Sequence, residues 1–214
     1  MNKDLQKYLE NVIMPKNDLN DAAHNREHVN YVRRRSKKFA SNIEGLNLDM
    51  VDTIAVYHDV GHSIDAKNHE MVSAIILASD ENLRDYFNEK EIVVMAQAVE
   101  DHRASKNNEP RSIYGRIVSS ADRNTSVDQL LRRTYAYRLK HMPNASVDEI
   151  IKGSWEHAVN KFGREGYAIE KMYFLDDEYE QFLKEVQELT DNPIEFRKRY
   201  ISVNEINLGR LRKK

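Results

Sequence analysis

Eight histidines and many carboxylates stand in a chain that has no cysteine. Any divalent cation held by this chain must therefore be held by imidazole nitrogen and carboxylate oxygen. The densest stretch is Val56-Tyr57-His58-Asp59-Val60-Gly61-His62, which follows the apolar residues Val51, Ile54 and Ala55. That spacing marks one face of a helix, and His58 falls on it. A solitary core histidine is more often hydrogen-bonded to a carbonyl than bound to metal, so the weight rests on its company. Helical registers place His28 on an inward face with Val32, Phe39 and Ile43, put His102 with Met95 and Val99, and set Asp122 one turn beyond Val118. His69 opens the segment running into Met71 and Leu77. Burying these groups together with Asp59 demands something that neutralises and coordinates them, and a metal ion does both.

The elements that must position these residues are helices. Seven glycines, four prolines and no sustained apolar–polar alternation predict an all-α protein. A first helix is expected from about Leu5 to Met14, stopped by Pro15, and a second from Asp21–Asn25 to about Ile43, with Gly45 ending it. A third opens near Asn47 or Asp49 and ends or bends at Gly61. Further helices start at His69, at an Asn88/Glu91 capping box, and near Ser112, running to Arg123 with Gly115 and Ser119 offering small side chains for close packing. Beyond Asn124, helices are expected over Gln129–Lys140, from a Ser146/Glu149 capping box through Trp155 toward Phe162, over Asp177–Leu189, and from Asn192-Pro193 onward. A length of 214 residues fits one domain. Its metal-binding core would span about residues 21–124. A C-terminal helical extension over about 125–214 would pack on the bundle and add a substrate wall or an oligomer contact. The basic end, Arg210 to Lys214, reads as a frayed, solvated tail.

Composition excludes several classes. A net charge of −2 gives no basic field, which disfavours nucleic acid as a partner. The absence of cysteine removes disulfides, iron–sulfur clusters and thiol nucleophiles. Lys3 and Asp4 stand where a secretory signal would need an apolar core, and no apolar run approaches the ~20 residues needed to cross a bilayer, so a soluble, cytoplasmic protein without a membrane partner is expected.

The order His28, His58-Asp59, Asp122 resembles the HD superfamily of metal-dependent phosphohydrolases. Glu27-His28-Val29-Asn30-Tyr31-Val32 is similar to that family's first-ligand helix, and Tyr57-His58-Asp59-Val60-Gly61 to its central motif; the likeness covers roughly Asp21 to Asn124. It implies an all-α HD-domain helical bundle with additional C-terminal helices. His69 and His102 look like the two extra histidines of two-metal members. By that analogy Asp59 bridges, with His28, His58 and Asp122 on one ion and His69 and His102 on the other. The Asp59 to His69 interval is shorter than in several such families; if His69 fails to reach, the site is mononuclear and both histidines meet substrate instead. His24 is read as a supporting or surface residue. The cofactor implied is one or two divalent ions among Mn, Fe, Mg and Zn.

A metal site of this kind generates hydroxide near neutral pH and leaves no need for a side-chain nucleophile. Arg103, Arg123 and Lys67 are the candidate phosphate-binding cations, Arg103 foremost, against a plain reading of surface ion pairs. His62, three residues after Asp59, is the candidate general acid, or else a cap on the helix end. Asp65 and Asp101 are expected to orient ligand histidines. The leading function is hydrolysis of a phosphate ester of a small metabolite, with a nucleotide preferred. A di-iron oxygenase and a non-catalytic nucleotide-sensing module are the rivals. The residues after the His-Asp pair, Val60-Gly61-His62, disfavour stringent-response nucleotide and cyclic dinucleotide hydrolysis.

Overall fold

The computed structural model describes residues 1–21, 23–103, 108–170 and 172–206, and all regular structure among them is helical. The chain divides into two compact units, Met1–Arg123 and Asn124–Lys214. The basic end at Arg210 to Lys214 lies outside the described residues.

In the first unit, α1 (Lys3–Tyr8) and α2 (Met14–Asn17) are joined by a π-helical turn, Leu9–Ile13. Pro15 does not stop this helix as expected. The Met14 N–H reaches back five residues to the Leu9 carbonyl, and Pro15 then occupies the first turn of α2, where a missing N–H is tolerated. α3 (Arg26–Ala40) begins at Asn25, whose side chain accepts from the backbone N–H groups of Glu27 and His28. It ends before Ile43, and Gly45 serves the following loop instead, at a φ of +80° that glycine adopts without strain.

α4 (Leu48–Tyr57) is capped by Asn47 and buried from Met50 to Tyr57. It stops four residues short of Gly61, so His58 to His62 lie in successive tight turns. Gly61 acts elsewhere, at a helix contact, because a Cβ there would stand 2.8 Å from Ser73 N and from Val72 Cβ. The glycine lets this turn lie against α5 (His69–Ala78), and its N–H donates to Ser73 Oγ at 2.9 Å. α6 (Glu89–Asp101) opens at the expected capping box of Asn88 and Glu91, and α7 (Ile113–Ala121) at Ser112. Gly115 closes α7 on α6, since a Cβ would meet Pro110 Cβ at 2.9 Å and Ala98 Cα at 3.5 Å. Buried ion pairs hold α3 to α4: Arg33 donates to both oxygens of Asp52 at 2.9 Å, and Lys37 Nζ lies 2.7 Å from the same carboxylate.

The second unit contains α8 (Val127–His141), α9 (Val147–Phe162), α10 (Tyr167–Glu170), α11 (Asp177–Thr190) and α12 (Pro193–Val203). The Ser146/Glu149 box opens α9, and Asn192 caps α12. Leu131, Ile151, Phe182, Phe196 and Tyr200 contribute to a core of its own. No helix among the described residues is long and apolar enough to cross a membrane.

Candidate metal centre

Helix ends place five of the six predicted ligands, and Asp59 lies in the turn after α4. His28 sits in the first turn of α3, His69 opens α5, and His58, His102 and Asp122 directly follow α4, α6 and α7. The same local device orients three of the imidazoles. His58 Nδ1 lies 2.8 Å from Ala55 O, His69 Nδ1 3.1 Å from Ala66 O, and His102 Nδ1 2.6 Å from Val99 O, in each case the carbonyl three residues back. For His58 and His102 that carbonyl belongs to the last helical turn, where oxygens lack an intrahelical donor. A carbonyl can only accept, so Nδ1 carries a proton and Nε2 is the nitrogen turned inward as the available metal donor.

These nitrogens converge in two groups that share Asp59. In the first, His28 Nε2 is 3.2 Å from His58 Nε2, 3.4 Å from Asp59 Oδ2 and 3.1 Å from Asp122 Oδ1, while His58 Nε2 is 3.1 Å from Asp59 Oδ2. In the second, His69 Nε2 is 3.3 Å from both His102 Nε2 and Asp59 Oδ1, and His102 Nε2 is 3.6 Å from Asp59 Oδ1. His69 therefore does reach, despite its short interval from Asp59.

The donors fit a metal. Bonds of about 2.0–2.2 Å to nitrogen and oxygen put neighbouring ligand atoms roughly 3.0–3.5 Å apart, close to the spacings found. Asp59 Oδ1 is a buried oxygen with no hydrogen-bond partner, a state that is costly unless a cation satisfies it. The electrostatics agree. Burial opposes charge on His28, yet the carboxylates of Asp122 and Asp59 outweigh it and hold the imidazole up at about 9. Burial dominates at His102 and pushes it down to about 4. Against their own burial, neighbouring imidazoles hold the Asp59 and Asp122 carboxyls well below the usual range.

Around the ligands the outcome is mixed. Arg103 Nη1 donates to Lys67 O at 2.8 Å and to Glu70 Oε2 at 3.0 Å, tying the loop before α5 to the end of α6. Lys67 is exposed on that loop. Arg123, expected to face substrate, is buried, and its Nη2 donates to Ser119 Oγ at 3.2 Å. His62 stacks on His24 at 3.9 Å between ring centroids, with the His69 ring 5.2 Å away. His24 is also bonded to Asp21, and Asp21, His24 and His62 form a further group of donor atoms. Burial and the neighbouring His24 hold the His62 imidazole below its ordinary pKa.

The expectation for Asp65 and Asp101 is overturned. Asp65 accepts from the backbone N–H groups of Lys67 and Asn68, and Asp101 binds the Arg111 guanidinium. The backbone carbonyls described above do the orienting in their place.

Sequence reasoning missed four supporting residues. Asn17 donates to Val56 O at 3.1 Å; Asn20 donates to Asp59 O at 2.9 Å and accepts from Ser63 N–H, so the two hold the turn that carries Asp59. Arg35, wholly buried, donates from Nη1 to Ala121 O at 2.9 Å and Arg123 O at 3.0 Å, the carbonyls on either side of Asp122. Tyr31 OH also donates to Arg123 O, at 2.8 Å. The one hint in the sequence was that Arg35 lies two turns beyond His28 on the same helix face.

A helical bundle with a buried imidazole–carboxylate centre built from helix ends defines a class of metal-binding domains. Residues 25–125, a little under half of the chain, match the family model of the HD domain, which supports an HD-domain protein. The match suggests the metal-dependent hydrolase superfamily. Comparison with curated proteins and with solved structures gave no match.

Proposed function

We propose that this chain is a metal-dependent phosphohydrolase cleaving a phosphate ester of a small metabolite, with a nucleotide as the substrate class. The observation that carries the reading is Asp59, whose two oxygens face two separate sets of imidazole nitrogens. A hydrogen-bonded core has no use for that arrangement, whereas a pair of cations does. His28, His58, Asp59 and Asp122 would hold one divalent ion, and Asp59, His69 and His102 a second; an imidazole-rich set favours Fe or Zn over Mg. Bound there, such ions supply a water-derived nucleophile near neutral pH and neutralise charge gathering on phosphoryl oxygens.

The chain's own side chains do the rest. Arg103 is held through Nη1 by Lys67 O and Glu70, and a guanidinium has further N–H groups with which to grip a phosphoryl oxygen. Lys67 adds positive charge from the same loop. His62, stacked on His24 and held below its ordinary pKa, takes a proton from the attacking water and passes it to the departing alkoxide. Arg123 braces the turn of Asp122 from inside and has no part in substrate contact.

The imidazole-rich donor set also suits a di-iron oxygenase, the second reading. Protein purified without chelator should be analysed for metal and screened over nucleotides in Mn²⁺ with oxygen excluded. Hydrolysis that persists there and disappears in Asp59→Asn is the expected result. Turnover that requires oxygen supports the oxygenase, and nucleotide binding without turnover under either condition supports a sensing module.

A further inference from the structure

Three side chains beside the centre stand outside the six-ligand set. Asp21, His24 and His62 each bring one donor atom to a group in which no two lie more than 4.8 Å apart. Asp21 Oδ1 is 2.7 Å from His24 Nδ1, and the His24 and His62 rings stack with centroids 3.9 Å apart and planes at 19°. The group borders both halves of the buried cluster. The His24 centroid lies 5.9 Å from that of His28, and the His62 centroid 5.2 Å from that of His69.

One residue braces all three. Asn20, immediately before Asp21, donates from Nδ2 to His24 O at 3.0 Å and to Asp59 O at 2.9 Å, and its Oδ1 accepts from the N–H of Ser63, next to His62, at 2.9 Å. Backbone bonds close the same loops: His24 N–H donates to Asp21 O at 3.0 Å, and His62 N–H to Asp59 O at 2.9 Å. The two imidazoles are thus positioned before a ligand arrives, which lowers the ordering cost of binding. Two imidazoles and a carboxylate are the donors of open zinc sites, in which water takes the fourth place. Bonds of about 2.0–2.2 Å would draw the donor atoms to roughly 3.0–3.5 Å from one another; small turns of the half-buried His62 and the exposed Asp21 achieve this.

We infer that Asp21, His24 and His62 bind a further divalent cation of the zinc class, held more weakly than the ions of the buried cluster. The carboxylate of this site, Asp21, is exposed, whereas Asp59 is buried where attraction to a cation is stronger. The ion takes the His62 nitrogen that the proposed hydrolysis uses for proton transfer. On that reading, on which this consequence rests, the site is a brake that fills when free metal exceeds what the centre needs.

The test equilibrates the full chain, purified and desalted, against a rising series of buffered free zinc and counts ions per chain by mass spectrometry. Wild type should take up one ion more than Asp21→Asn and His24→Ala at the same free zinc, with the affinity for that ion lowered at least tenfold in both. Helical circular dichroism and the metal retained after desalting should be unchanged in both variants. Hydrolysis of the nucleotide selected in the Mn²⁺ screen should fall at least tenfold in wild type as the extra ion binds, and should hold in Asp21→Asn relative to that variant's own zinc-free rate. Equal zinc uptake by wild type and both variants overturns the site. Uptake that the variants abolish, with an undiminished rate in zinc-filled wild type, overturns the brake. Uptake that behaves as expected in a chain that hydrolyses no nucleotide upholds the site and removes the hydrolase reading instead.

Discussion

Asp59 offers one carboxylate oxygen to each set of imidazoles, so its loss and the loss of His69 have different consequences. Metal analysis by mass spectrometry should find two ions per wild-type chain, one in His69→Ala, and none in Asp59→Asn, with hydrolysis in the latter lowered by more than a hundredfold. A single ion in the wild type that His69→Ala leaves in place would remove the binuclear reading. Asp52 makes a separate, structural prediction. Its carboxyl is buried yet held below the usual range, because Arg33 and Lys37 outweigh the burial that opposes charge. The stability it confers is therefore present above the unfolded carboxylate value of about 3.9 and is lost as pH falls through the lower folded value. Asp52→Asn leaves buried Arg33 with Glu10 as its remaining carboxylate and should cost about 1–3 kcal/mol in urea unfolding at pH 7, flattening the acid limb of the stability profile. The six candidate ligands were legible because residue type and helical register together point to them. Their supports were not, since Ala55, Ala66 and Val99 act through backbone carbonyls that every residue carries.

Between helices, the contacts that set the centre are close approaches and tethers. Gly61→Ala introduces a Cβ 2.8 Å from Ser73 N and Val72 Cβ, and such overpacking costs about 1–3 kcal/mol. Because the strain falls on α5, metal titration should show the ion shared by His69 and His102 weakened more than the ion shared by His28 and His58. Arg35→Leu removes the tether on the carbonyls flanking Asp122. By analogy with other groups that orient metal ligands, affinity for the ion on Asp122 should drop roughly 10–100-fold, with helix content retained by circular dichroism. Metal affinity equal to wild type would make Arg35 a packing residue only. Caps with a side-chain mechanism, at Asn88/Glu91, Ser146/Glu149 and Asn192, could be read from the chain. Pro15 and Gly61 misled because their roles depend on a π turn and on a neighbouring helix, neither of which is a local property of the sequence.

Across the whole molecule, the ligands run from His28 to Asp122 and all lie within Met1–Arg123, while Asn124–Lys214 has its own apolar core. Phe182→Ala in that second core should lower stability by about 3–5 kcal/mol and leave the metal content per chain unchanged; loss of metal in this variant would show that the two units are energetically one. The family likeness could be read because it sits in the ligand-bearing stretch, whereas no motif in residues 124–214 names a chemistry. With every candidate cation ligand encoded upstream of residue 124, descendants of this gene are free to rebuild the downstream lobe without disturbing the imidazole–carboxylate cluster.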